Sequence, residues 1–184
     1  MKMKKSLICA IAIVMLSAFN LYAAGVVQMV NFQTNTADDG TVWAAEVREW
    51  QTFTSSQGME IMSLAITPTN ANNKLRIDVV ANVAVDETSG SIPRRLVIGL
   101  FDGGEEALAV TPQNITPVTD EYAVAAIPLT YFMTAGTTNT KTFTVKLSAD
   151  QIYLYGDYYH FNRSTWGNFG GKETSSITIT EIEP

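Results

Sequence analysis

The residues best suited to chemistry crowd into one stretch, 153–169, which reads YLYGDYYHFNRSTWGNF. It carries Tyr153, Tyr155, Tyr158, Tyr159, His160, Phe161, Trp166 and Phe169. Aromatic rings offer flat apolar faces to the C–H groups of a sugar, and Tyr, His, Asn and Arg add directional hydrogen bonds. A site for a glycan or a protein receptor is the chemistry this mixture suits. Tyr158, His160, Arg163 and Trp166 stand nearest the loop that the glycines 167, 170 and 171 announce, and they are expected to be exposed and to bind the ligand. The competing reading is that alternate rings fill the core and the others pack against a neighbouring subunit.

Catalysis finds little support in the same residues. His160 is the sole histidine, with Asp157 and Ser164 close by, yet no Gly-x-Ser-x-Gly turn frames a serine. The one cysteine, Cys9, lies in the leading segment, so Cys-ligated zinc and thiol chemistry have no ligands in the remainder. Acidic pairs at Asp38–Asp39, Asp86–Glu87, Glu105–Glu106 and Asp120–Glu121 could offer oxygen to calcium, but none has EF-hand spacing, and they read as loop solubility. The run DGGEE at 102–106 reads as a hairpin turn, because the Gly-Lys-Ser/Thr ending of a phosphate cradle is missing. The expectation is a protein without enzymatic activity, cofactor or metal.

The leading segment places the chain in a compartment. Lys2, Lys4 and Lys5 precede an apolar run of 14 residues, SLICAIAIVMLSAF, and small residues follow at Ala23 and Ala24. That order is a secretory signal, and the run falls short of the roughly 20 residues of a membrane span. Cleavage after Ala23 is expected, giving residues 1–23 as signal peptide and 24–184 as the mature domain, secreted or periplasmic, with no membrane span left. Three of the 12 basic residues leave with the signal and none of the 18 acidic ones, so nine basic face 18 acidic, a net of −9. Such a surface argues against nucleic acid as a partner.

The elements that must position the aromatic stretch are strands. In NKLRIDVVANVAV, Leu75, Ile77, Val79, Ala81, Val83 and Val85 share one face. Phe143, Val145 and Leu147 alternate with Thr142, Thr144 and Lys146. Met62, Leu64 and Ile66 alternate with Ile61, Ser63 and Ala65, where burial on both faces is expected. Further strands are expected at 26–32, 42–52, 95–101, 107–111, 122–134, 152–159 and 176–182, separated by ADDG, TPTNANN, DETSGSIP, DGGEE, TAGTTN and FGGKE. A helix over 38–51 is the alternative to the strand at 42–52. Pro128 marks an edge strand or a bulge. About ten short strands make an all-β protein, a single jelly-roll-like antiparallel β-sandwich. Ile61, Val80, Val97 and Phe101 fall opposite the inferred core, which suggests a second buried surface, as in a homo-oligomer.

Four segments in order, IMSLAITPTNANNKLRIDV, LVIGLFDGGEEALAV, MTAGTTNTKTFTVKL and FNRSTWGNFGGKETSSITITEI, resemble the C-terminal β-sandwich domain of phage tail-fibre and other virion-associated proteins. The resemblance implies a homotrimeric receptor-binding tip. The export signal and the lack of a fibre shaft depart from that pattern. The alternatives are a structural subunit of a surface or extracellular assembly, in which GVVQMVNFQ at 25–33 adds to a neighbour's sheet edge, and an exported carbohydrate-active enzyme.

Overall fold

The computed structural model describes residues 25–36, 38–41, 47, 51–85, 94–115, 123–149, 158–162 and 173–184. The described residues are all β, in ten strands: β1 (Val26–Thr34), β2 (Asp38–Thr41), β3 (Met59–Ile66), β4 (Lys74–Val85), β5 (Arg94–Phe101), β6 (Ala109–Ile115), β7 (Ala123–Thr134), β8 (Lys141–Ala149), β9 (Tyr158–Phe161) and β10 (Ser175–Ile182). They form two antiparallel sheets packed as a sandwich. In the first, β4 pairs β7 on one side. On its other side lie β10 and then β9, end to end. β1 pairs β10 and β2 pairs β9 outside them. The second sheet has the order β3-β8-β5-β6.

The eight longer strands nest. The first pairs with the last (β1 with β10), the second with the seventh (β3 with β8), the third with the sixth (β4 with β7) and the fourth with the fifth (β5 with β6). One long antiparallel ribbon thus rolls over on itself, which is the jelly roll the alternating pattern predicts. Its interior is lined by Leu75, Ile77, Val79 and Ala81 of β4, Ile127 and Leu129 of β7, Ile98 and Leu100 of β5, Phe143, Val145 and Leu147 of β8, and Ile177 and Ile179 of β10. Each fully buried Ile or Leu contributes about 1.5–3 kcal/mol.

Several expectations change in detail. Within the segment ADDG, read as a turn, Asp38–Gly40 is strand: Asp38–Thr41 pairs with Phe161–Tyr158, so the helix alternative fails over those four residues. Positions 42–46 and 48–50 lie outside the described residues, and Gln51–Phe53 is not strand. β6 continues through Pro112 to Ile115, which an outermost strand tolerates because one of its edges needs no donors. Pro128 likewise sits in an edge strand, β7, with no register shift. β3 is buried on one face only. Ser63 and Ala65 are exposed, and Ile61 is the extra residue of a bulge between Glu60 and Met62. The final strand is central, with Ile177 and Ile179 inward. Glu181, not an apolar side chain, takes the next inward position, so Ile182 falls on the outer face without any bulge in β10.

The N-terminal strand belongs to the protein's own sheet, and only its outer edge is left for the neighbour expected at 25–33. β1 pairs with β10 along its length, so deleting it removes a strand of the protein's own sheet. The second buried surface is also internal in part. Val97 and Phe101, on the outer side of β5, are covered by Phe53 and Val47 of the same chain. Phe53 meets Phe101 edge-on, ring centroids 5.3 Å apart. It can lie there because Gly99 has no side chain: a Cβ at that position would stand 2.7 Å from two ring atoms of Phe53 and 3.1 Å from Phe101. Val80 does remain open to solvent. Gly99→Ala is expected to lower stability by about 1–3 kcal/mol through overpacking, read from the urea midpoint, and the double variant Gly99→Ala/Phe53→Leu to recover part of the loss. An unchanged midpoint for the single variant would contradict the contact.

Candidate functional site

Both ends of the roll are defined by strand registers. Thr41 pairs Tyr158, Val85 pairs Ala123 and Tyr159, Arg94 pairs Ile115, and Leu96 pairs Ala149. These strand ends share one end of the sandwich. The connections 86–93, 116–122 and 150–157 leave from it, as does the chain after Thr41. The connection 163–172 departs three residues further in along β4, from Asn162 beside Asn82, and returns at Glu173.

β9 presents the aromatic run in alternation. Tyr159 and Phe161 point inward and belong to the main core. His160 pairs with Ala84 and Asp39 on the opposite side of the sheet, and it too is buried, at 3% exposure. The expected exposure of His160 is therefore corrected: the neighbouring Ala84 is equally buried, so this part of the outer face is closed, unlike Val80 further along β4 at 40%. The backbone of Tyr158 pairs with Thr41, whereas its side chain, and the whole of Arg163 and Trp166, lie outside the described residues. Two of the rings thus follow the core-filling reading, and of the four expected ligand-binding residues only His160 has a described side chain.

The residue that organises the site was not among them. Asn162 follows β9 with φ 52°, a left-handed conformation that Asn adopts more readily than most side chains. Its N–H donates to the Asn82 carbonyl at 2.9 Å. Its Nδ2 donates to the carbonyls of Thr34 and Thr36 at 2.9 and 3.2 Å. Its Oδ1 accepts from Ser175 Oγ at 2.6 Å, and Ser175 Oγ in turn accepts the Asn82 N–H at 2.8 Å. Asn82 Nδ2 donates to the Thr174 carbonyl. Asn162 and Ser175 are both buried. The connection 163–172 therefore leaves and returns through two side chains bonded to each other, and to β1 and β4. The sequence signal was an Asn between a strand and a loop, a position where its amide can replace missing backbone partners.

The opposite end is held by a buried carboxylate. Glu181 is fully buried on the inward face of β10. It accepts hydrogen bonds from Gln28 Nε2 at 2.6 Å, Asn73 Nδ2 at 2.7 Å, and the N–H and Oγ1 of Thr69, each at 2.9 Å. Burial alone would raise its pKa, but the hydrogen bonds from Gln28, Asn73 and Thr69 outweigh it and hold the carboxyl at about 2. Glu173, at the return of the 163–172 connection, shifts the other way, raised by burial.

Among the described residues no three His, Cys, Asp or Glu side chains converge as a metal-ligating group. No helix among them is long and apolar enough to cross a membrane.

No protein-family model and no curated protein matches the sequence. Solved structures give weak likenesses. The capsid chain of infectious bursal disease virus particles aligns over 86% of this chain at 9% identity and a TM-score of 0.37. This chain spans about two-fifths of the length of that capsid chain, 38%. A Bacillus endospore appendage protein, described as forming disulfide-linked pili, aligns over 90% of this chain and 99% of its own at 12% identity and a TM-score of 0.23. The enzymatically active domain of tailspike protein 4 of bacteriophage CBA120 aligns over 75% of this chain and 19% of its own, at 11% identity and a TM-score of 0.23. Likenesses this weak carry no argument about function.

The carboxylate at the closed end gives a testable consequence. Its folded pKa lies below its ordinary value of 4.5. The stability it contributes is present in full above about pH 4.5 and is lost as pH falls toward 2. Glu181→Gln should lower the stability at pH 7 by about 1–3 kcal/mol, and the gap to the parent protein should narrow below pH 4.5. Urea titrations across that range check it, and a gap independent of pH would contradict the assignment.

Proposed function

We propose that the protein is an exported binding module, without enzymatic activity, that recognises a cell-surface glycan or protein receptor. The recognition surface is the end of the roll from which 86–93, 116–122 and 150–157 leave, together with the connection 163–172 that starts from within the sheet beside it. Trp166 and Tyr158 supply ring faces to the ligand and Arg163 supplies hydrogen bonds. His160, buried on β9, is not part of that surface.

The observation that carries this reading is the base of the 163–172 connection. Asn162 and Ser175 are bonded to each other and tie that base to β1 and β4 at once. Variable connections rooted in a rigid frame are the usual arrangement for recognition, because the frame lowers the ordering cost of binding. The opposite end suits the role less. There the connection 67–73 is tied down around Glu181, and neither it nor 102–108 nor 135–140 carries an aromatic ring.

Purified protein applied to a glycan array, and to intact cells for protein receptors, tests the proposal. Trp166→Ala is expected to weaken binding about tenfold or more while leaving the urea midpoint unchanged. Binding that survives the substitution undiminished would remove this end of the roll as the recognition surface.

A further inference from the structure

The sheet edges of this molecule are not equally protected. An edge strand presents unpaired N–H and C=O groups, and proteins blunt such edges with proline, charge or a bulge. β7 carries Pro128 in its middle. β6 carries Pro112 in its middle. β3 carries Glu60 and the bulge at Ile61. β2 carries Asp38 and Asp39. β1 carries none of these between Gln28 and Thr34. The whole run Gly25–Thr36 has no charged residue and no proline, and its one bulge lies at Val27, before the regular stretch. Among the described residues no strand pairs with its outer edge.

The side chains of β1 agree. Phe32 lies opposite Ile177 and Val30 opposite Ile179, so both face the interior. Phe32 is nevertheless 39% exposed, because the sandwich is open on that flank. On the outer face Met29 is 64% exposed. The regular register runs from Gln28 to Thr34, and its centre is Asn31.

We propose that β1 pairs antiparallel with β1 of a second copy of this chain, across a twofold axis at Asn31, so that two sheets become one. The register with the longest regular overlap sets Gln28 opposite the partner's Thr34, Met29 opposite the partner's Gln33 and Val30 opposite the partner's Phe32. Side chains of the same face then meet, as a ladder requires. The two Phe32 rings and two Val30 side chains close the open flanks of both sandwiches. The charge distribution favours a second copy: the chain is net acidic, and β1 is a strip on which two copies meet without opposing charges. The inference is independent of the ligand proposed above, and it yields a dimer in place of the trimer implied by the tail-fibre resemblance.

Sedimentation of the purified protein over a dilution series tests it. The parent protein is expected to dimerise reversibly. Met29→Lys/Gln33→Lys opposes two pairs of lysines in this register and should raise the dimer dissociation constant about tenfold or more. Met29→Glu/Gln33→Lys pairs unlike charges and should dimerise at least as well as the parent. Ala126→Lys, an exposed change on the β7 edge, should leave the constant unmoved. All of these positions are exposed, so each variant is expected to keep the parent's urea midpoint. A monomeric or trimeric parent protein, a Lys/Lys variant that dimerises as tightly as the parent, or a Glu/Lys variant as weak as the Lys/Lys one would overturn the proposal.

Discussion

Strand β4 is twelve residues long, and the lane beside it is filled by two shorter strands in line. β10 covers Lys74–Val80 and β9 covers Val83–Val85. Where one ends and the other begins, part-buried backbone groups of β4 and of the end of β1 are left without ladder partners, which is unfavourable. Asn162 and Ser175 supply those partners with side chains. The splice lets a long connection start from the middle of a sheet without opening the interior. It also divides the outer lane into β1 and β2 in the same way.

The two ends of the roll are built differently as a result. At one end a buried carboxylate gathers Gln28, Thr69 and Asn73, joining β1, the β3–β4 connection and β10. Its partners are remote in sequence, so that cluster ties three elements together at this end. Towards the other end the polar bonds of Asn162 and Ser175 are buried and tie the base of the connection 163–172 to β1 and β4. Between the ends, apolar side chains fill the roll, and Phe53 closes a smaller cluster over Gly99 on the outside of the second sheet.

Much of the fold was legible from residue alternation. Leu75 to Val85 on β4 and Phe143 to Leu147 on β8 face the core because a strand turns successive side chains to opposite sides, and this survives any choice of partner strand. What alternation could not show was who covers the other face. Val97 and Phe101 suggested a sister copy, but a distant segment of the same chain covers them, and only the close approach of Phe53 to Gly99 reveals it. Asp38–Thr41 carried turn residues yet pairs as strand, since tertiary pairing with β9 overrides weak local preference. Pro112 was passed over because proline reads as a boundary until the strand is known to be outermost. At the site, the aromatic run drew attention to Tyr158, His160, Arg163 and Trp166. The polar anchor, Asn162, was hidden in the same stretch, because its partners Thr34, Asn82 and Ser175 are remote in sequence.

The splice is the point on which both the fold and the proposed recognition end depend. Amide hydrogen exchange of the purified protein tests it most directly. The amides of Asn82 and Asn162 are expected to exchange as slowly as those of Ile177–Thr180 in the centre of β10, since all of them open only with the whole sheet. If Asn82 and Asn162 instead exchange as fast as the edge strand β6 while the centre of β10 stays protected, the two strands beside β4 are not joined as described.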